Sequence, residues 1–268
     1  MTATPRPANA AAEAPSVIRI LREGVLDAEL AGLAWLLIEA RVPVIVAGAA
    51  ESLAARLRLR DALTDLLPAA GRRVVIDAAG DGLQGLTAAD AASTTLVGLD
   101  VTAEPASAVQ VAFKALPRGA DIAASIEADS LEDVHARLRR LDIRLSDDEL
   151  TFLGLVLVLR SVAPGRDRVV AAHYARPLAR DPNGHVQRMG PAVLATWEPA
   201  TDGFEHFAWG IAAELAGRTG IWPGDLDAEI EHRRGYLSGL LAGGVDEPAA
   251  VRSAIEGFRL AHNRSGSH

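Results

Sequence analysis

The chain has 268 residues, 49% of them apolar, and a formal net charge of -8. That is enough apolar material for one large or two small domains, and the acidic balance argues against nucleic acid as a partner, because phosphate neutralisation is the main term in such binding. Without cysteine there are no disulfides and no thiolate metal sites. No apolar run reaches the roughly 20 residues of a membrane span, and the N-terminus lacks the basic and apolar regions of a secretory signal. A cytoplasmic protein without direct membrane insertion is expected.

Residues Met1 to Pro15 are rich in Ala and Pro, lack apolar periodicity and read as a disordered tail. Ser16 to Glu23 is a short apolar-patterned segment. Asp27 is placed to cap a helix running to Ala40, with Leu30, Leu33, Ala34, Leu37 and Ile38 on one face and Trp35 packed beside them. Val42 to Ala47 is a β-branched run of the kind covered on both faces in a parallel sheet. Gly48 breaks it, and Ala49 to Leu67 reads as a helix stopped by Pro68. Arg73 to Asp77, Thr94 to Leu99 and Ile122 to Glu127 are further strands. They alternate with helices over Glu104 to Leu116 and from Ser130, its cap, to Leu141, while Ala79 to Ala92 is loop with a short helix. Repeated β then α at this spacing predicts a parallel, doubly wound α/β sheet.

After about Asp142 the pattern changes. Leu153 to Val162, Arg168 to Leu178 and His185 to Trp197 are extended runs separated by Pro164–Gly165 and Asp181–Gly184 turn signals, and read as antiparallel strands added to the sheet edge. Phe207 to Leu215, Asp225 to Leu241 and Glu247 to Leu260 read as three closing helices. The expected organisation is a tail over 1–15, an α/β domain over 16–207, a helical C-terminal subdomain over 208–262 and a second tail over 263–268.

Strand, tight turn and helix over Val42 to Leu59 is the geometry of a phosphate-binding loop. Such a loop needs G-x-x-x-x-G-K-[ST]: glycines let backbone N–H groups wrap the phosphates, the lysine reaches the β- and γ-phosphates, and the hydroxyl holds Mg²⁺. The frame here runs from Gly48 to Ala55. Gly48 remains, the second glycine is Leu53, the lysine is Ala54 and the Ser/Thr is Ala55. Glu51 adds a carboxylate to the turn; two like unit charges 4 Å apart repel by about 4 kcal/mol at an effective dielectric near 20. Either Glu51 or Ser52 satisfies the orphan N–H groups at the helix start, or Glu51 is a solvated first-turn acid. Arg56 is expected at a surface or interface, not as a stand-in for the lysine. The histidines are scattered without metal spacing, Asp147-Asp148-Glu149 reads as a capped helix start, and Ser52 has no G-x-S-x-G frame.

Three segments together resemble the C-terminal ATPase domain of the type II/type IV secretion and pilus-assembly ATPases, including the tight-adherence and archaeal pilus branches. They are Leu26 to Ala31 with Trp35-Leu36 and Glu39-Ala40-Arg41 before the loop strand, Ile126 to Asp133, and Asp225 to Arg234 with Tyr236-Leu237. The resemblance implies a RecA-like P-loop NTPase fold, mainly parallel with antiparallel edge strands and a C-terminal helical subdomain. It also implies assembly into rings. The same resemblance exposes departures. The family's Walker B glutamate falls on Leu99, its histidine-box histidine on Glu127, and only Asp77 keeps the place of an acidic-box residue. Asp100 is expected on the opposite face of its strand from Leu99. The expected protein is therefore a pseudo-ATPase with no catalytic residue, no metal and no cofactor, serving as a structural or regulatory subunit of a secretion or pilus motor. Its expected partners are a catalytic ATPase paralogue and a membrane platform protein. The alternative is a residual nucleotide binder or slow ATPase using ATP and Mg²⁺.

Overall fold

A computed structural model describes residues 15–76, 93–140, 142–180, 183 and 185–265. The stretch 79–92, Asp77, most of the N-terminal tail and the last three residues lie outside them. Helix α1 (Val17–Arg22) is capped by Ser16 and α2 (Ala28–Glu39) by Asp27, whose carboxylate accepts from the Leu30 N–H at 2.9 Å. Strand β1 (Val44–Gly48) leads through a 3-10 turn at Ala50–Ser52 into α3 (Leu53–Leu63). Then come β2 (Arg72–Val75), β3 (Thr94–Asp100), α4 (Ala106–Ala115), β4 (Asp121–Glu127), α5 (Leu131–Arg139) and the single-turn α6 (Asp147–Leu150). A Ser146/Glu149 capping box starts α6, as the acidic cluster implies.

An antiparallel meander follows: β5 (Leu155–Ala163), β6 (Arg166–Tyr174), β9 (Ala192–Glu198) and β10 (Gly203–His206), with a small ribbon of β7 (Ala179–Arg180) and β8 (Val186–Gln187) between. Helices α7 (Ala212–Thr219), α8 (Leu226–Ala242) and α9 (Pro248–Ser265) close the chain.

The main sheet has eight strands in the order β10-β9-β6-β5-β1-β4-β3-β2. The five strands from β5 to β2 pair in parallel and the outer three antiparallel. It is an α/β fold with a mixed, mostly parallel sheet. Alternate β1 residues serve opposite faces, as a two-sided strand requires. Val44 and Val46 join the core under α1, α2, α3 and the closing helices. Ile45 and Ala47 join the core under α4, α5 and α6. The closing helices share that first core: Leu237, Val251, Ile255 and Phe258 belong to the same cluster as Leu155 and Leu157.

Two expectations change. The run from His185 to Trp197 is not one strand, because Gly190–Pro191 interrupts it; proline has no N–H to give a ladder. β10 was not expected, although Asp202-Gly203 is a strong hairpin signal. Asp202 takes a left-handed φ of 52° there. Its carboxylate accepts from Arg168 Nε and Trp197 Nε1, both at 3.0 Å, and those bonds hold it well below the usual carboxylate range.

The closing helices are locked to α2 by Glu39. One of its oxygens accepts from Trp35 Nε1 at 2.6 Å and from Arg259, and the other from Arg233 Nη2 at 2.8 Å. Removing the carboxylate leaves Arg233 with Glu229 and Arg259 with Glu256 as their remaining acids, and takes the acceptor from Trp35 Nε1. Glu39→Ala is expected to lower stability by about 2 kcal/mol, read as a reduced urea midpoint.

The histidines make opposite contributions to the pH profile. Burial lowers the pKa of His206, but its 2.9 Å bond to Asp27 and the charge of Glu29 outweigh this and leave it above the ordinary 6.5. His206 thus contributes stability that is present below the ordinary value and is lost as pH rises through its raised pKa. Burial, followed by Arg139, lowers His135; burial lowers His173. These two cost stability as pH falls below 6.5. An imidazole NMR titration should place His206 above that value and the other two below it, and His206→Gln should flatten the alkaline side of the stability profile.

Candidate functional site

The carboxyl ends of β1, β3 and β4 meet where an open parallel sheet generally binds ligands. Gly48 ends β1 beside Glu127 of β4 and Leu159 of β5. A Cβ at Gly48 would stand 3.1 Å from the Leu159 carbonyl oxygen and 3.4 Å from the Ser52 Cβ, so this position is close-packed. Ala49 is extended, residues 50–52 make one 3-10 turn, and α3 starts at Leu53. The strand–turn–helix expected from the sequence is present, with its helix shorter than expected at both ends.

What fills the space behind the turn is Arg56. It is 1% exposed, contrary to the surface or interface position expected of it. Its Nη1 donates to the Gly48 carbonyl at 2.8 Å and its Nη2 to Asp100 Oδ2 at 3.2 Å. β4 lies between β1 and β3, so those strands are about 10 Å apart, a span that a long side chain can bridge. One helical turn on, Arg60 Nη1 donates to the Gly98 carbonyl at 2.8 Å and to Ser125 Oγ at 3.3 Å. Two arginines spaced i, i+4 on the inner face of α3 thus tie the ends of the central strands together.

The partner of Arg56 lies just past an irregularity in β3. Gly98 takes φ +87°, and the β3–β4 register slips between Val97 and Leu99; the extra residue is a β-bulge. Leu96 and Leu99 consequently both enter the core under α4. Leu99 and Asp100 do point apart, but Asp100 is the one that faces the loop. Its second oxygen accepts from the Thr102 N–H at 3.0 Å. Strict alternation along β3 conceals this, although a glycine inside a strand is the signal for a bulge.

Of the two readings of Glu51 the solvated first-turn acid holds, and the capping one does not. Neither caps α3: the helix has no side-chain cap, Glu51 is exposed, and the buried Ser52 Oγ has no protein partner among the described residues. Ala54 is exposed and Ala55 half-buried, so no ammonium or hydroxyl stands where a nucleotide would need one. Glu127 does lie at the rim. Its N–H donates to Thr102 Oγ1 at 2.9 Å, and its carboxylate accepts from Arg137 Nη2 at 2.7 Å. Asp77 is outside the described residues.

In front of the turn lies an open depression of about 450 Å³ with Glu51, Glu127, Asp129 and Asp133 around it against one guanidinium, Arg137. Three net negative charges repel a polyphosphate, and behind the loop Arg56 is spent on Gly48 and Asp100 and Arg60 on Gly98 and Ser125. The residues present do not fit a Mg-nucleotide. No group of three or more metal-ligating side chains occurs among the described residues, and no helix among them is long and apolar enough to cross a membrane.

No protein-family model and no curated protein matches the chain.

A buried pair makes the site testable. Removing Arg56 leaves Asp100 buried without its cation, and Arg56→Met is expected to cost about 3 kcal/mol. Replacing both charges, in Arg56→Met with Asp100→Leu, is expected to recover most of that loss. Urea denaturation of the two variants checks both outcomes.

Proposed function

We propose that the protein is a pseudo-ATPase: a RecA-like P-loop scaffold whose nucleotide site is closed by its own side chains and which serves as a non-catalytic subunit. The observation that carries this reading is the Arg56 bridge between Gly48 and Asp100. A lysine in a phosphate-binding loop keeps its charge available for the ligand; here the nearest cation is turned inward onto the strands. The sheet order, with β4 between the loop strand and the acid-bearing β3, is compatible with a RecA-like fold. The acidic rim and the aliphatic Leu99, Ala54 and Ala55 point the same way, because phosphoryl transfer depends on positioned positive charge and metal.

The resemblance to secretion and pilus-assembly ATPases supports a role in such a motor, in the cytoplasm, as an oligomer with a catalytic ATPase paralogue beneath a membrane platform protein. The burial of Arg56 supports the non-catalytic reading over residual nucleotide turnover. Isothermal titration with Mg-ATP is expected to give no saturable, Mg²⁺-dependent binding, and phosphate release to stay at the buffer rate. Binding tighter than about 0.1 mM, or turnover abolished by Asp100→Asn, would sink the proposal. Affinity capture from the native host is expected to bring down an intact ATPase with a complete lysine-bearing loop.

A further inference from the structure

A second depression, of about 430 Å³, lies far from the loop, where the chain leaves α3 and enters β2 at its amino end. Arg73 of β2 and Arg252 and Arg259 of α9 line it, with Asp65 and Glu256. Two of the guanidiniums meet at one atom: the Leu67 carbonyl oxygen accepts from Arg73 Nη2 at 3.3 Å and from Arg259 Nη1 at 3.1 Å.

The acids nearby are already engaged. Asp65 takes Arg252 at 3.2 Å and the Val17 N–H at 3.0 Å. Glu256 takes Arg259 at 3.1 Å and the Ala69 N–H at 3.4 Å. Glu39, the other partner of Arg259, is shared with Arg233 and Trp35. Arg73 contacts only the carbonyls of Leu67 and Pro68 and has no carboxylate partner among the described residues. Burial, then the charges of Arg252 and Arg259, hold its pKa below the usual arginine value.

A guanidinium carries five N–H donors in a planar fork. Among the described residues the bonds of Arg73 use only Nη2 and those of Arg252 only Nη1. Two forks with open donors therefore face one depression across an excess of positive charge. That set matches an oxyanion held by bidentate bonds, and the volume admits more than a bare ion.

We propose that this depression binds the phosphate group of a small soluble phosphomonoester. It is independent of the loop and of the pseudo-ATPase reading.

The test titrates phenyl phosphate and inorganic phosphate into the full chain at constant ionic strength, followed by isothermal calorimetry and arginine side-chain NMR. Saturable binding is expected, tighter for phenyl phosphate. Arg73→Ala should weaken it at least about tenfold, and Arg137→Ala, at the loop depression, should leave it unchanged. Arg73→Gln serves as a second variant, and far-UV circular dichroism establishes that each variant is folded. A non-saturating response, equal affinity in a folded Arg73 variant, or no preference for the ester over inorganic phosphate overturns the assignment. Mg-ATP binding that persists in Arg73→Ala would belong to the loop and count against the pseudo-ATPase reading, not against this site.

Discussion

The central constraint in this structure is a cation buried between strands. Arg56 contributes two bonds, one to the end of β1 and one to the end of β3, and the strand between them, β4, is bound in turn by Arg60 through Ser125. The inner face of α3 is therefore partly polar where a helix over a parallel sheet is normally apolar. This arrangement is stable only while each charge keeps its partner, since a buried ion pair that loses one member costs more than a well-packed apolar pair in its place. The loop geometry and the orientation of Asp100 converge on that guanidinium, while the bulge at Gly98 that turns Asp100 toward it offers its own carbonyl to Arg60.

The closing helices are held on the same side by related chemistry. Glu39 joins α2 to α8 and α9 through two guanidiniums, and Trp35 packs against Tyr236 and Phe258 with ring centroids 6.1 and 4.9 Å apart. Arginine suits both places: its planar fork bonds two groups at once, while its stem packs against apolar neighbours. A chain with a single lysine, Lys114, thus carries nearly all its positive charge on the side chain best suited to internal bridging.

Much of the fold was legible because its signals are local. Ser16, Asp27, Ser130 and Ser146 announce helix starts through their side chains, and β-branched runs announce buried strands. The sheet class followed from their alternation. The candidate site was legible in what it lacks, since Leu53, Ala54 and Ala55 can be read off one frame. What occupies the space behind the turn was not. Arg56 sits among Ala, Leu and Arg in a helix of weak amphipathicity, and nothing local distinguishes a buried arginine from a solvated one; its partners are 8 and 44 residues away. Asp100 does lie opposite Leu99, but its facing toward the loop was hidden, because a one-residue bulge at Gly98 shifts the alternation beyond it. The cationic depression joins residues of β2 and α9 separated by most of the chain, so no window of sequence contains it.

Gly48 has a consequence for motif searches. It matches the first glycine of the loop frame, and it is also where a side chain would crowd the Leu159 carbonyl, at 3.1 Å from an added Cβ. A pattern search that credits the first glycine of such a frame is therefore scoring strand packing, not affinity for a ligand. In a strand–turn–helix of this kind the informative positions are the ones that packing leaves free to vary, and at those positions this chain has an exposed alanine and an exposed glutamate.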